Sequence, residues 1–256
     1  MDAGLDTLAT ALYIRIDDWL KAEPRRVPWR PAVGITPRIC DAELVTLAVM
    51  AALLGYTSEA RWLRFARARL RHLFPYLPHQ PGYNKRLRKL AGTMMWLVRA
   101  LARDTSLWHD GVWVVDSTPV ECGRSRETTR RSDLAGWAEY GYCASHSRFF
   151  WGLRLHLLCT LGGLPVGFAL TGAKADERQV LLGILDDETL AGRAGQVIES
   201  VNQTFKGQLD LERHGGRTPA GVIVRILQRI LALTTAIWLN DKTAAQTHRS
   251  LTAYDH

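Results

Sequence analysis

The chain has 256 residues, 47% of them hydrophobic, and 33 Lys+Arg against 25 Asp+Glu, a formal net charge of +8. That length suits one large domain or two small ones, and the apolar share excludes a disordered chain. The basic surplus points to a polyanionic partner, nucleic acid ahead of a membrane, because phosphate contacts dominate nucleic-acid affinity. The cysteines Cys40, Cys122, Cys143 and Cys159 form no Cys-x-x-Cys pair, so neither a structural zinc site nor a dithiol motif is indicated and free thiols of a cytosolic protein are expected. Asp2 and Asp6 interrupt any signal-peptide pattern, and the most apolar run, residues 44–54, is too short to cross a bilayer, so no membrane partner is expected.

In chain order, Leu5, Leu8, Leu12, Ile16 and Trp19 recur at helical spacing up to Pro24. Residues 22–37, rich in proline and arginine, read as a connecting loop. A second helix is expected after Asp41 as N-cap; it is apolar nearly all round and therefore central. A third follows Ser58, with Arg61, Arg64, Arg67 and Arg71 on one face and Trp62, Leu63, Ala66 and Leu70 on the other. A fourth is expected from about 84 to 102, with Leu87, Leu90, Met94, Leu97 and Leu101 buried. The basic faces either grip phosphates or are simply solvated.

The stretch Val112-Trp-Val-Val-Asp-Ser-Thr-Pro119 reads as a short buried strand over 112–116, ending on the carboxylate Asp116 and stopped by Pro119. Asp116 either holds a metal ion or caps the following turn. An arginine-rich loop follows, with Arg124, Arg126, Arg130 and Arg131. Leu153, Leu155 and Leu157 alternate with Arg154 and His156 in a strand over 149–161. Gly162-Gly163 suits a type I′ turn, and 164–171 returns as the partner strand, so three strands are expected. His156 reads as a satisfied strand histidine. Helices are expected over 176–185, from Val197, and from Thr218-Pro219 through Trp238, with a frayed polar tail over 241–256.

Asp116 at its strand resembles the first metal ligand of DDE transposases with an RNase H-like fold. Tyr140-Gly-Tyr-Cys-Ala-Ser145, Trp151-Gly-Leu-Arg-Leu-His156 and Gly163-Leu-Pro-Val-Gly-Phe-Ala-Leu170 resemble one branch of bacterial insertion-sequence transposases, and Val197-Ile-Glu-Ser-Val-Asn-Gln-Thr-Phe-Lys206 is similar to the helix that carries their final glutamate. Glu199 and Lys206 match its Glu-x6-Lys pattern. The resemblance covers nearly the whole chain. It implies an α+β protein: a helical, DNA-binding region over 1–108, then an RNase H-like domain over 109–240. It implies DNA cleavage and strand transfer, with Asp116 and Glu199 as catalytic metal ligands for Mg²⁺ or Mn²⁺. Lys206 would hold DNA phosphate, with Arg124, Arg126, Arg130, Arg131, Arg61 and Arg64 as less specific contacts. It further implies transposon ends and target DNA as partners, homo-oligomers when functional, and a bacterial cytoplasm with nucleoid association.

One departure qualifies all of this. The family places a second strand-borne Asp before the glutamate helix, and a βα unit needs roughly 30 residues. Here Leu190-Ala-Gly-Arg-Ala-Gly-Gln196 runs straight into Val197-Ile-Glu199, and Gly195 occupies the position of the family's basic residue. These features indicate an internal deletion with its junction near 195–196. Asp186 and Asp187 read as the acidic end of a solvated helix rather than as substitutes. The domain is therefore expected to be incomplete, with an apolar sheet edge at 112–115 and defective catalysis. The alternative is a non-catalytic DNA-binding remnant, or an inhibitor of an intact transposase.

Overall fold

Apolar spacing marks the face that each helix of the first hundred residues buries. The computed structural model describes residues 3–30, 33–34, 36–143, 147–185, 194–195, 199–245 and 247–251. The chain is mixed α+β and divides into two compact units, Met1–Asp104 with Leu227–His256, and Thr105–Ile226.

In the first unit, α1 (Ala3–Ala22) buries Leu5, Leu8, Leu12 and Ile16. Helix α2 (Asp41–Leu53) is buried on nearly every residue, as its all-round apolar sequence requires. Its cap is Cys40 rather than Asp41. The Glu43 N–H donates to Cys40 Sγ at 3.3 Å, and the Glu43 carboxylate accepts from the Cys40 N–H at 2.6 Å, closing a capping box. Asp41 turns inward instead and accepts from Arg30 at 2.5 Å and Arg86 at 2.6 Å, which a buried carboxylate needs. Helix α3 (Glu59–Arg69) is capped by Ser58 as expected.

The single helix expected over 84–102 is two, α4 (Gln80–Lys89) and α5 (Ala91–Arg103), separated at Leu90 with φ −84 and ψ 3. The apolar period could not reveal the break, because Leu87, Leu90, Met94, Leu97 and Leu101 are buried straight across it. Residues 243–251 do not fray as the expected tail would. Asn240 Nδ2 donates to the carbonyls of His248 and Ser250 at 2.8 and 2.9 Å, and Leu251 is buried.

The second unit holds the sheet: β1 (Trp113–Gly123), β2 (Glu139–Cys143), β3 (Arg148–Thr160), β4 (Pro165–Gly172) and β5 (Ala194–Gly195). Along one edge β3 pairs antiparallel with β1, from Trp113↔Thr160 to Gly123↔Trp151. Along its other edge it pairs with β4 and then with β2, both antiparallel. On the far side of β1, β5 lies parallel to it at Trp113↔Ala194 and Val114↔Gly195.

Three expectations are corrected here. Strand β1 does not stop at Pro119 but runs on to Gly123. Beyond Val114 its outer edge has no ladder partner among the described residues, and an edge strand is where a sheet admits proline. Strand β2 was hidden because its alternation is inverted, with Tyr140 and Tyr142 exposed while Gly141 and Cys143 are buried. The β3–β4 turn is not type I′, since only Gly163 has positive φ, at 84°. Gly163 N–H donates to Thr160 O at 2.8 Å and Thr160 N–H to Leu164 O at 3.0 Å, the pattern of a three-residue loop ending in a left-handed glycine.

The arginine-rich loop contains a short helix, α6 (Arg126–Arg131), capped by Ser125. Helix α7 (Glu177–Leu185) follows Asp176, whose Oδ1 accepts from the Gln179 N–H at 2.9 Å. Helix α8 spans Glu199–Gly207. Helix α9 (Pro219–Lys242) starts with proline after the Thr218 cap and crosses from the second unit into the first. Among the described residues it is the one helix long and apolar enough to cross a membrane, but 89% of its apolar window is buried within the protein, as in a core helix.

Candidate functional site

Asp116 lies within β1, four residues from its start, rather than at a strand tip. Strand alternation puts Asp116, Thr118 and Val120 on one face of the sheet and Ser117 on the other. One carboxylate oxygen of Asp116, Oδ1, accepts from the Ser117 N–H at 2.7 Å; the other, Oδ2, accepts from Asn202 Nδ2 at 2.5 Å. Asn202 stands on α8, and its residue is only 5% exposed.

The contact with Asn202 fixes which side of α8 meets β1. Residues 199, 202 and 206 are spaced i, i+3, i+7 and share that side, so the backbone positions of Glu199 and Lys206 lie on the face that reaches Asp116. The Glu199 side chain lies outside the described residues, as do Asp186 and Asp187. Phe205, fully buried, anchors the same helix. Asn202 Oδ1 is buried and has no hydrogen-bond partner among the described residues. Sequence reasoning passed over Asn202; its position one turn after Glu199 was the available signal.

The opposite face of the sheet carries a separate polar cluster. Ser117 Oγ donates to Glu177 at 2.6 Å. The Arg154 guanidinium donates to Glu177 at 2.5 Å, to Ser117 Oγ at 3.3 Å and to Tyr142 O at 3.0 Å. The Ser117 hydroxyl, and then Arg154, hold the Glu177 carboxyl below its usual range against the opposing effect of burial. His156 is buried, 2.9 Å from Thr171 Oγ1, and burial lowers its pKa, so it sits as a neutral strand histidine. This cluster ties α7 and β3 to β1. It steadies the strand that carries Asp116 without touching the Asp116 face.

The basic residues divide by partner. Arg124 pairs with Glu121 at 3.1 Å and Arg131 with Glu127 at 3.5 Å, so part of their charge is already answered. Arg126 and Arg130 are exposed, Lys206 is half-buried, and none forms an ion pair with a described residue. In the first unit Arg61 and Arg64 are likewise exposed without an ion pair among the described residues, while Arg67 donates to Pro78 O at 2.7 Å and braces the chain. Arg64 and Arg67 line an open depression of about 480 Å³ with His79 and Gln80. All four cysteines are free.

Among the described residues no group of three or more His, Cys, Asp or Glu side chains is placed to hold a metal ion. The donors present at Asp116 are its carboxylate and the Asn202 amide. Both offer hard oxygen, the donor type that Mg²⁺ and Mn²⁺ accept, and the set suits one such cation rather than two. Searches against protein-family models, curated proteins and solved structures found no match for this chain.

Proposed function

We propose that this chain derives from bacterial insertion-sequence transposases of the DDE class, with an RNase H-like domain shortened by an internal deletion near 195–196. The observation that carries this is the Asp116–Asn202 contact, which brings together a strand carboxylate and the Glu199 helix from 86 residues apart in sequence. The strand order supports it. An antiparallel β1–β3–β4 meander is followed by a parallel strand on the far side of β1, and that strand is reduced to two residues where the family would carry its second Asp.

In the parent activity divalent metal would supply Lewis-acid stabilisation and an activated nucleophile for in-line phosphodiester displacement. The chain's own residues divide the remaining work. Asp116 and Glu199 hold the cation, Lys206 holds DNA phosphate beside it, and Arg126, Arg130, Arg61 and Arg64 add phosphate contacts that position DNA without reading its sequence. Transposon ends and target DNA are the partners, homo-oligomers the working form, and the nucleoid of a bacterial cytoplasm the location.

A second reading is favoured by the small donor set: a DNA-binding remnant, without catalysis, that occupies transposon ends or inhibits an intact transposase by mixed assembly. Uncatalysed phosphate-ester hydrolysis is so slow that enzymes supply up to about 10²¹-fold, and a site short of one carboxylate falls far below that. Purified protein incubated with supercoiled plasmid and Mg²⁺ or Mn²⁺, beside Asp116→Asn, separates the two. Nicking that vanishes in the variant means the transposase site works. Absence of nicking, with DNA affinity that falls steeply with salt by about −0.9 in log–log slope per phosphate contact, means the remnant. DNA binding indifferent to salt refutes both.

A further inference from the structure

The one polar atom at the site with no partner is Asn202 Oδ1. It is buried on a residue 5% exposed, and its own amide group already touches Asp116 through Nδ2. A buried acceptor left unsatisfied is costly, and such an atom calls for a ligand. We infer that Asn202 is an oxygen donor to a single divalent cation at Asp116, taking the place that a second carboxylate would otherwise fill. This rests on Asp116 and Glu199 being a metal pair.

The chemistry of the amide explains why asparagine serves there. Without a cation, the N–H side faces the Asp116 carboxylate and neutralises part of its charge, as in the 2.5 Å contact. An aspartate at 202 would instead put two carboxylates against each other at a site with little solvent. Turning the amide over exchanges Oδ1 for Nδ2 without moving α8, since the two ends have nearly the same shape. Asp116 and Asn202 then both present oxygen to one ion. An amide oxygen is an ordinary ligand for hard divalent cations, weaker than a carboxylate because it lacks the charge. The site binds metal with too little negative charge to hold two ions, so binding and catalysis come apart.

The test uses the full chain with Mn²⁺ alone as probe, reading bound metal by electron paramagnetic resonance and calorimetry, and stability by melting with and without the ion. Wild type is expected to bind one Mn²⁺. Asn202→Ala is expected to bind about tenfold more weakly or worse, and Asn202→Asp about tenfold more tightly. Asn202→Asp should also melt below wild type in chelator and gain more from Mn²⁺. Asp116→Asn should lose binding. If both Asn202 variants bind Mn²⁺ like wild type while Asp116→Asn does not, Asn202 is only a brace and the inference falls with the metal pair intact. If folded wild type binds no Mn²⁺, the metal pair and the inference fall together. Should Asn202→Ala not fold, the Asn202→Asp arm decides alone.

Discussion

Gly152 sits where three strands meet, paired with Glu121 of β1 and Glu139 of β2. A Cβ placed there would collide with the carbonyl oxygen of Val120 and come 3.0 Å from the Cys122 nitrogen. Both neighbours are backbone, so no side chain can swing aside, and the strands must part by on the order of 1 Å. The strain falls at an existing register shift between Glu121 and Gly123, where the ladder is already interrupted. Gly152→Ala is therefore expected to cost about 3 kcal/mol, the upper end for an overpacked interior. In a chain of this size that lowers the melting temperature by roughly 6–12 °C. Gly183→Ala is the control. Gly183 is exposed within α7, with nothing within 4 Å of the added carbon, and the change should stabilise by up to about 1 kcal/mol because glycine is a poor helix former. Thermal melts followed by circular dichroism give both signs in one experiment. A Gly152→Ala melt matching wild type would refute the close approach of β1 and β3 at this point.

Acid should destabilise the protein in two windows. His156 and Glu177 both have pKa values lowered on folding, so the unfolded chain takes up protons first and stability is lost as pH falls, below about 6.5 for His156 and below about 4.5 for Glu177. Ser117→Ala, by raising the Glu177 pKa, should shrink the lower window, as melting temperature against pH would show. Cys40→Ser should keep the α2 cap while Cys40→Ala loses about 0.5–2 kcal/mol, measurable by denaturant titration. Burial pushes the thiols of Cys40 and Cys122 up to about 11, so both should react slowly with a thiol reagent at pH 8 until the chain is denatured. The outer edge of β1 beyond Val114, with no ladder partner among the described residues, should make purified protein associate as its concentration rises. A monomer at high concentration with one sharp melt would count against that.

Local signals were legible wherever one element decides its own form. The apolar period of α1 and α2, the Ser58 and Thr218 caps and the alternation of β3 are properties of neighbouring residues, and the sequence alone determined them. So was the choice of Asp116 and of the helix bearing Glu199 and Lys206, through motif resemblance. Tertiary structure decided what depends on distant partners. Cys40 rather than Asp41 caps α2 because Arg30 and Arg86 draw the Asp41 carboxylate inward. Strand β1 passes through Pro119 because its outer edge is empty there among the described residues, and β2 is a strand because β3 offers it an edge. Asn202 was invisible for the same reason. An asparagine midway along a polar-looking helix declares nothing until the fold sets it 2.5 Å from a carboxylate 86 residues earlier, where burial leaves its amide oxygen unanswered.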